Sequence, residues 1–124
     1  MTRINVGVHP YELPNKLLLA EHREITRIPN AIISGKAKIV NIPKKFTLGK
    51  GHVKFFYNKL LFLEKRYKQI YEECRKRQFN IQNKKNSFLG PFDINLLNDY
   101  DPCQADRDLI VERIMSKGFY LLQD

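Results

Sequence analysis

The stretch VKFFYNKLLFLEKRYKQIYEEC, residues 53–74, decides the fold. Apolar side chains recur at Val53, Phe56, Leu60, Leu63, Tyr67, Ile70 and Cys74, in unbroken steps of three and four. Residues so spaced stack on one side of a 3.6-residue turn. The pattern predicts a long amphipathic helix over about residues 52–77. Its other faces carry Lys54, Lys59, Lys65, Arg66, Lys68, Arg75, Lys76 and Arg77, which reads as a solvated basic surface. Cys74 belongs to the apolar stripe and is read as core. Phe79 and Ile81 are expected to pack just past the helix end.

Upstream, Thr2 to Val8 alternates weakly and is bounded by Pro10 and Pro14, the reading of an extended arm. From Asn15 the period changes: Leu18, Leu19, His22 and Ile25, continuing towards Ile32 and Ile33, mark a first helix. Asn15 is its expected N-cap. Pro29 is expected to kink or end it near Ile28, because proline removes an amide and crowds the preceding turn. Gly35 is the stop signal. Residues 35–51, GKAKIVNIPKKFTLGKG, read as a basic loop. Residues 82–102 read as a second long loop, with turn signals at Gly90-Pro91 and Asp101-Pro102 and one short turn at Leu96 and Leu97. A third helix is expected over about 103–117, with Asp101 as its cap and Leu109, Ile110 and Ile114 apolar. The expectation is an all-α, compact three-helix single domain, 1–124, with long loops and an N-terminal arm. A monomer is expected.

The chain has 124 residues, of which 43% are hydrophobic, enough to build one core. No run approaches a membrane span, and the first residues lack the apolar run of a secretory signal, so a cytoplasmic, non-secreted protein is expected. Two cysteines are too few for a disulfide framework or a four-ligand zinc site. Lys and Arg number 22 against 13 Asp and Glu, a net charge of +9, and the excess is uneven. Residues 1–34 carry +1, residues 35–86 carry +12 and residues 87–124 carry −4. A central charge of that size suits a polyanion, most often nucleic acid, because neutralising phosphates releases condensed counterions.

No cluster with metal-ligand spacing is present. His9, His22 and His52 are scattered, and HExxH, P-loop and GxSxG motifs are absent. No metal and no cofactor are expected. The densest polar group is Glu21, His22, Arg23, Glu24 and Arg27. Arg23 and Arg27 share a helical face, and either Glu21 or Glu24 could be neutralised by them. Spacing alone does not separate a reactive carboxylate from an ordinary surface ion-pair helix.

Four blocks, in order, carry a family resemblance: MTRIN at residues 1–5, LLLAEHREITR at 17–27, LGKGHVKFFYNKLLFLEKRY at 48–67 and ECRKRQFNI at 73–81. They resemble the pyrimidine-dimer DNA glycosylases, the small phage, viral and bacterial family also called phage-type endonuclease V. YDPCQADRDLIVERI, residues 100–114, continues the match weakly. The resemblance implies a three-helix fold and an enzyme that excises cyclobutane pyrimidine dimers from double-stranded damaged DNA, then cleaves the abasic site without metal or cofactor. It implies the α-amine of Thr2 as nucleophile, once Met1 is removed, and Glu24 as the catalytic carboxylate. Arg3, Arg23 and Arg27 match its basic DNA contacts, and His22, in the same block, is expected as a further DNA contact. The basic segment would add duplex affinity through Lys44, Lys45, Lys50, Lys54 and Lys84. His52, in the GHV block, is expected to be structural. One departure is evident: the family's aromatic and basic tail is replaced by GFYLLQD. Phe119 and Tyr120 are either a partial substitute or simply close the core.

The implied residue types suit the chemistry. Schiff-base formation needs a neutral amine, and a backbone α-amine ionises near about 7.7–8.0, far below the about 10.4 of lysine. Neighbouring arginines would lower it further, since like charges disfavour the ammonium form. A carboxylate can stabilise a cationic sugar and move protons. Two alternatives remain at this level: an abasic-site lyase without dimer specificity, and a non-catalytic basic DNA-binding module.

Overall fold

A computed structural model describes residues 1–123. Among them there is no strand, and five α-helical segments are joined by loops and short 3-10 turns. They are α1 (Asn15–Glu24), α2 (Arg27–Ile33), α3 (His52–Phe55), α4 (Leu60–Lys76) and α5 (Gln104–Ser116). The helical class and the long loops agree with the expectation, and the three expected helices appear as two interrupted ones and one continuous one.

The first interruption corrects the reading of Pro29. The helix breaks at Ile25–Thr26, upstream of the proline, and Pro29 sits in the first turn of α2. There its missing amide would have had no intrahelical partner anyway. Gly35 does stop α2, at φ +79°, with the Lys36 amide bonded back to the Ala31 carbonyl at 3.0 Å. Asn15 is not the N-cap of α1: Pro14 holds that position, and the Asn15 side chain instead accepts from Arg77 Nη1 at 3.0 Å.

The second interruption divides the helix expected over 52–77. Lys59 leaves helical geometry at φ −128°, ψ 43°, and its backbone bridges to Leu97. Its Nζ donates to the Phe55 carbonyl at 2.9 Å and sits 3.8 Å from the Phe55 ring centroid. A lysine placed there satisfies the end of α3 and adds a cation–π contact. The apolar stripe holds across the break: Phe56, Leu60, Leu63, Tyr67, Ile70 and Cys74 are all buried, and Val53 is half-buried.

Helix α5 starts after Cys103, not at an Asp101 cap. The Asp106 carboxylate accepts from the Cys103 amide at 3.1 Å and from the Tyr100 hydroxyl, a capping box that closes the first turn. Ile110 and Ile114 are buried, whereas Leu109 is exposed. A 3-10 turn at Ile94–Leu96 matches the short turn expected nearby.

The arm is the unusual element. Ile4, Val6 and Val8 are fully buried among the helices. No strand pairs with them, so the arm's backbone is satisfied by short turns and side chains. Gly7 turns at φ +80°, and a Cβ there would meet Arg107 Cβ at 2.9 Å, so glycine alone lets the arm lie against α5.

Arg66, expected on a solvated face, is buried. Its guanidinium pairs with Glu21 through Nε and Nη2, and its Nη1 donates to the Val8 carbonyl at 3.0 Å. Glu21 is therefore neutralised from α4 and not by Arg23 or Arg27. Removing one partner strands a buried charge, so Arg66→Ala is expected to lower unfolding stability by about 3–5 kcal/mol. Urea denaturation reads this as a fall in midpoint, and an unchanged midpoint would contradict the pairing.

Candidate active site

Three consecutive arm amides find side-chain acceptors. The Arg3 amide donates to Glu24 Oε1 at 2.8 Å. The Ile4 amide donates to His52 Nε2 at 3.0 Å. The Asn5 amide donates to Glu21 Oε1 at 3.2 Å, and the Asn5 side chain donates to the same oxygen at 2.7 Å. A buried backbone without a sheet must be satisfied in this way.

Next to these contacts lies a cleft with about 30 Å³ of water-sized space, lined by Arg3, Asn5, Glu24, Arg113, Lys117 and Phe119 among others. Arg113 reaches it from α5 and donates to Asn5 Oδ1 at 3.1 Å. Burial first, then the charge of Arg3, push its guanidinium below the ordinary arginine value, while Glu21 and Glu24 pull the other way. The cleft thus joins two carboxylates, Glu24 and the Arg66-paired Glu21, to cations from the arm and the end of the chain's last helix.

The matched sequence decides the family. A model of the family described as pyrimidine dimer DNA glycosylase matches residues 1–87. The chain belongs to that family.

This glycosylase therefore acts in DNA repair, and its substrate is DNA. The residues expected at its site are distributed unevenly. Arg3 and Glu24 line the cleft, and Thr2, one residue before Arg3, is half-buried. Arg23 and Arg27 are exposed, and Arg27 Nη1 donates to the Met1 carbonyl at 3.3 Å. Lys44, Lys45 and Lys50 are exposed on the loop before α3, and Lys54 is half-buried in α3. Lys84 is half-buried, and its amide donates to the Tyr67 hydroxyl at 2.6 Å. None of these five lysines lines the cleft. Of the tail aromatics, Phe119 lines the cleft with Lys16 Nζ 5.9 Å from its ring centroid, whereas Tyr120 is 74% exposed.

His22 differs most from its expected place. It is buried, and its Nε2 lies 3.1 Å from both the Gln82 carbonyl and the Tyr67 hydroxyl. A carbonyl only accepts, so Nε2 carries the hydrogen. The ring thereby ties α1 to α4 and to the segment before Lys84, and its burial sets it apart from the exposed Arg23 and Arg27. His52 is buried as a structural histidine, as expected.

Asn5, Arg113 and Lys117 had no place in the sequence reading, and Arg66 was placed on a solvated face. Two signals were available. Arg66 stands three residues after Leu63, at the edge of the apolar stripe, and Arg113 and Lys117 are four apart on one face of α5. Among the described residues, no three His, Cys, Asp or Glu side chains converge as metal ligands. No described helix is long and apolar enough to cross a membrane.

Burial, above all, holds both imidazoles below the ordinary histidine value; Lys84 and Arg23 add to this at His22, and Arg113 adds to it at His52. Bonds to Gln82 and Thr47, and the charge of Glu21 at His52, act oppositely but are outweighed. As pH falls through the ordinary histidine range, the unfolded chain takes up protons that the folded chain refuses. Stability is expected to be full above about pH 6.5 and to decline below it, by up to about 1.4 kcal/mol per pH unit for each histidine. Urea midpoints compared between about pH 7.5 and about pH 5.5 check this, and His22→Asn should flatten the slope.

Proposed function

We propose that this glycosylase cuts the glycosidic bond of the 5′ base of a cyclobutane pyrimidine dimer through the α-amine of Thr2, exposed by removal of Met1. The supporting observation is the 2.8 Å bond from the Arg3 amide to Glu24 Oε1, which fixes a carboxylate one residue from that amine. The amine attacks C1′ and the pyrimidine leaves with its bonding pair; a proton from the nitrogen then passes to O4′ as the C1′–O4′ bond breaks and opens the sugar, and the nitrogen lone pair closes a protonated imine at C1′. The imine acidifies the C2′ hydrogen. Loss of that proton expels the 3′ phosphate, so β-elimination breaks the strand. Glu24 stabilises the cationic sugar and moves the protons.

The surrounding charges suit the same role. Arg27 lies against the Met1 carbonyl, within reach of the terminus that removal of Met1 would create, and a guanidinium there would favour the neutral amine. Arg3, Arg113 and Lys117 around the cleft suit phosphates flanking the lesion. The dimer is reached only if DNA bends and a nucleotide leaves the stack, which a distorted lesion makes easier. The exposed lysines of residues 35–51 support non-specific duplex affinity.

A second reading, an abasic-site lyase without dimer specificity, is favoured by the tail. Phe119 is folded into the cleft wall and one exposed aromatic, Tyr120, follows it. Comparing cleavage of a dimer duplex with an abasic duplex separates the two readings.

Borohydride added during turnover should trap a covalent protein–DNA adduct. Its absence with Met1 removed would overturn the mechanism. Glu24→Gln is expected to bind the duplex but to cleave at least about a hundredfold more slowly; unimpaired turnover would take Glu24 out of the mechanism. Arg27→Ala should weaken binding and make the dependence of log affinity on log salt shallower by about 0.9. An unaltered slope would show that Arg27 touches no phosphate.

A further inference from the structure

We propose that His52 is a positioning residue for the reaction: its Nε2 lone pair holds the Ile4 amide and thereby sets where the Thr2 amine stands against Glu24. The proposal rests on the assignment of Thr2 and Glu24 above.

The ring meets two backbone groups of opposite kind. Its Nδ1 lies 2.9 Å from the Thr47 carbonyl, and its Nε2 lies 3.0 Å from the Ile4 amide. The carbonyl only accepts, so Nδ1 carries the hydrogen. The amide only donates, so Nε2 offers its lone pair. Both bonds exist together in one neutral tautomer alone. The ring cannot turn away from this arrangement. It is 3% exposed and stands edge-on to Phe46 and Phe56, with centroids 5.5 Å and 5.4 Å away. Gly51, at φ +94°, turns the chain into α3 and delivers the imidazole to this place.

The lever is short. Ile4 is two residues from Thr2, about 7 Å of extended chain. Glu24 holds the intervening Arg3 amide. One anchored amide leaves an arm free to swing about it. Two consecutive amides, anchored from α1 and from α3, do not. A reacting atom displaced by about 1 Å can cost a hundredfold in rate.

A second proton on His52 would set an N–H against the Ile4 N–H and break the hold. The charged groups facing the ring are Arg113, which disfavours that proton, and Glu21, which favours it. Burial disfavours it as well, so the hold is kept at neutral pH.

Two substitutions separate positioning from packing. Phenylalanine fits the aromatic cluster but offers no acceptor, whereas glutamine offers an acceptor and no ring. With Met1 removed, His52→Phe should keep duplex affinity and a cooperative melt, and its single-turnover borohydride trapping on abasic duplex should slow by at least about tenfold. His52→Gln should recover most of that rate. Trapping by His52→Phe at the wild-type rate would overturn the proposal, as would equal losses in both variants that follow their loss of folded protein. A wild-type chain that traps nothing overturns the Schiff-base reading and the positioning role with it. One measurement needs neither turnover nor a variant: nitrogen-15 shifts of the wild-type imidazole should show a protonated Nδ1 and a bare Nε2, with the Ile4 amide protected from hydrogen exchange. A protonated Nε2 or a fast-exchanging Ile4 amide would remove the hold, whatever the activity.

Discussion

The structure depends on an arm buried without a sheet. Ile4, Val6 and Val8 supply apolar side chains to the interior, but their backbone enters with them. An unpaired buried amide costs as much as the hydrogen bond it lacks. Glu24, His52 and Glu21 take three consecutive amides. Those acceptors bring their own requirements. Glu21 is a buried carboxylate and needs Arg66, which in turn satisfies the Val8 carbonyl. His52 needs the Thr47 carbonyl to set its tautomer. The groups that hold the arm are therefore linked through its backbone, and they tie it to α1, α3 and α4.

This arrangement also separates two uses of charge. Glu21 and Glu24 are three apart in α1 and both accept from the arm. Glu21 is closed off by Arg66 and serves stability. Glu24 engages the arm through one oxygen and faces a cleft that also holds Arg3, Arg113 and Lys117. The difference between them is access to solvent and the identity of the partner, not distance along the helix. The exposed lysines of the central segment form a third population, outside the cleft, where surface charge would suit the proposed duplex affinity.

The helical fold was legible because the stripe from Phe56 to Cys74 is periodic and long, and burial follows such a stripe. The breaks were not. Lys59 carries no turn signal; it ends α3 by reaching the Phe55 carbonyl and ring, contacts that exist only once Leu97 has come alongside. Pro29 signalled a break but not its position, since a proline is as well placed in the first turn of a new helix as after the last turn of an old one. The cap of α5 moved to Cys103 because Asp106 and Tyr100 close that turn together. At the site, spacing exposed the cluster of residues 21–27 but could not rank its members. The resemblance singled out Glu24, and the arm contact shows what holds it. Arg66 and Arg113 acquire meaning from partners 45 and 108 residues away, and no local pattern carries that.

The same distances order events during synthesis. Asn5 is held by Arg113, and Glu12 and the Gly7 carbonyl by Arg107, across separations of 95 to 108 residues. The arm is thus among the last parts of the described chain to be fixed in place. Until α5 has emerged, the cleft lacks the wall that carries Arg113 and Lys117. Contacts so distant in sequence slow folding, and here the cleft exists only once the arm and α5 have met.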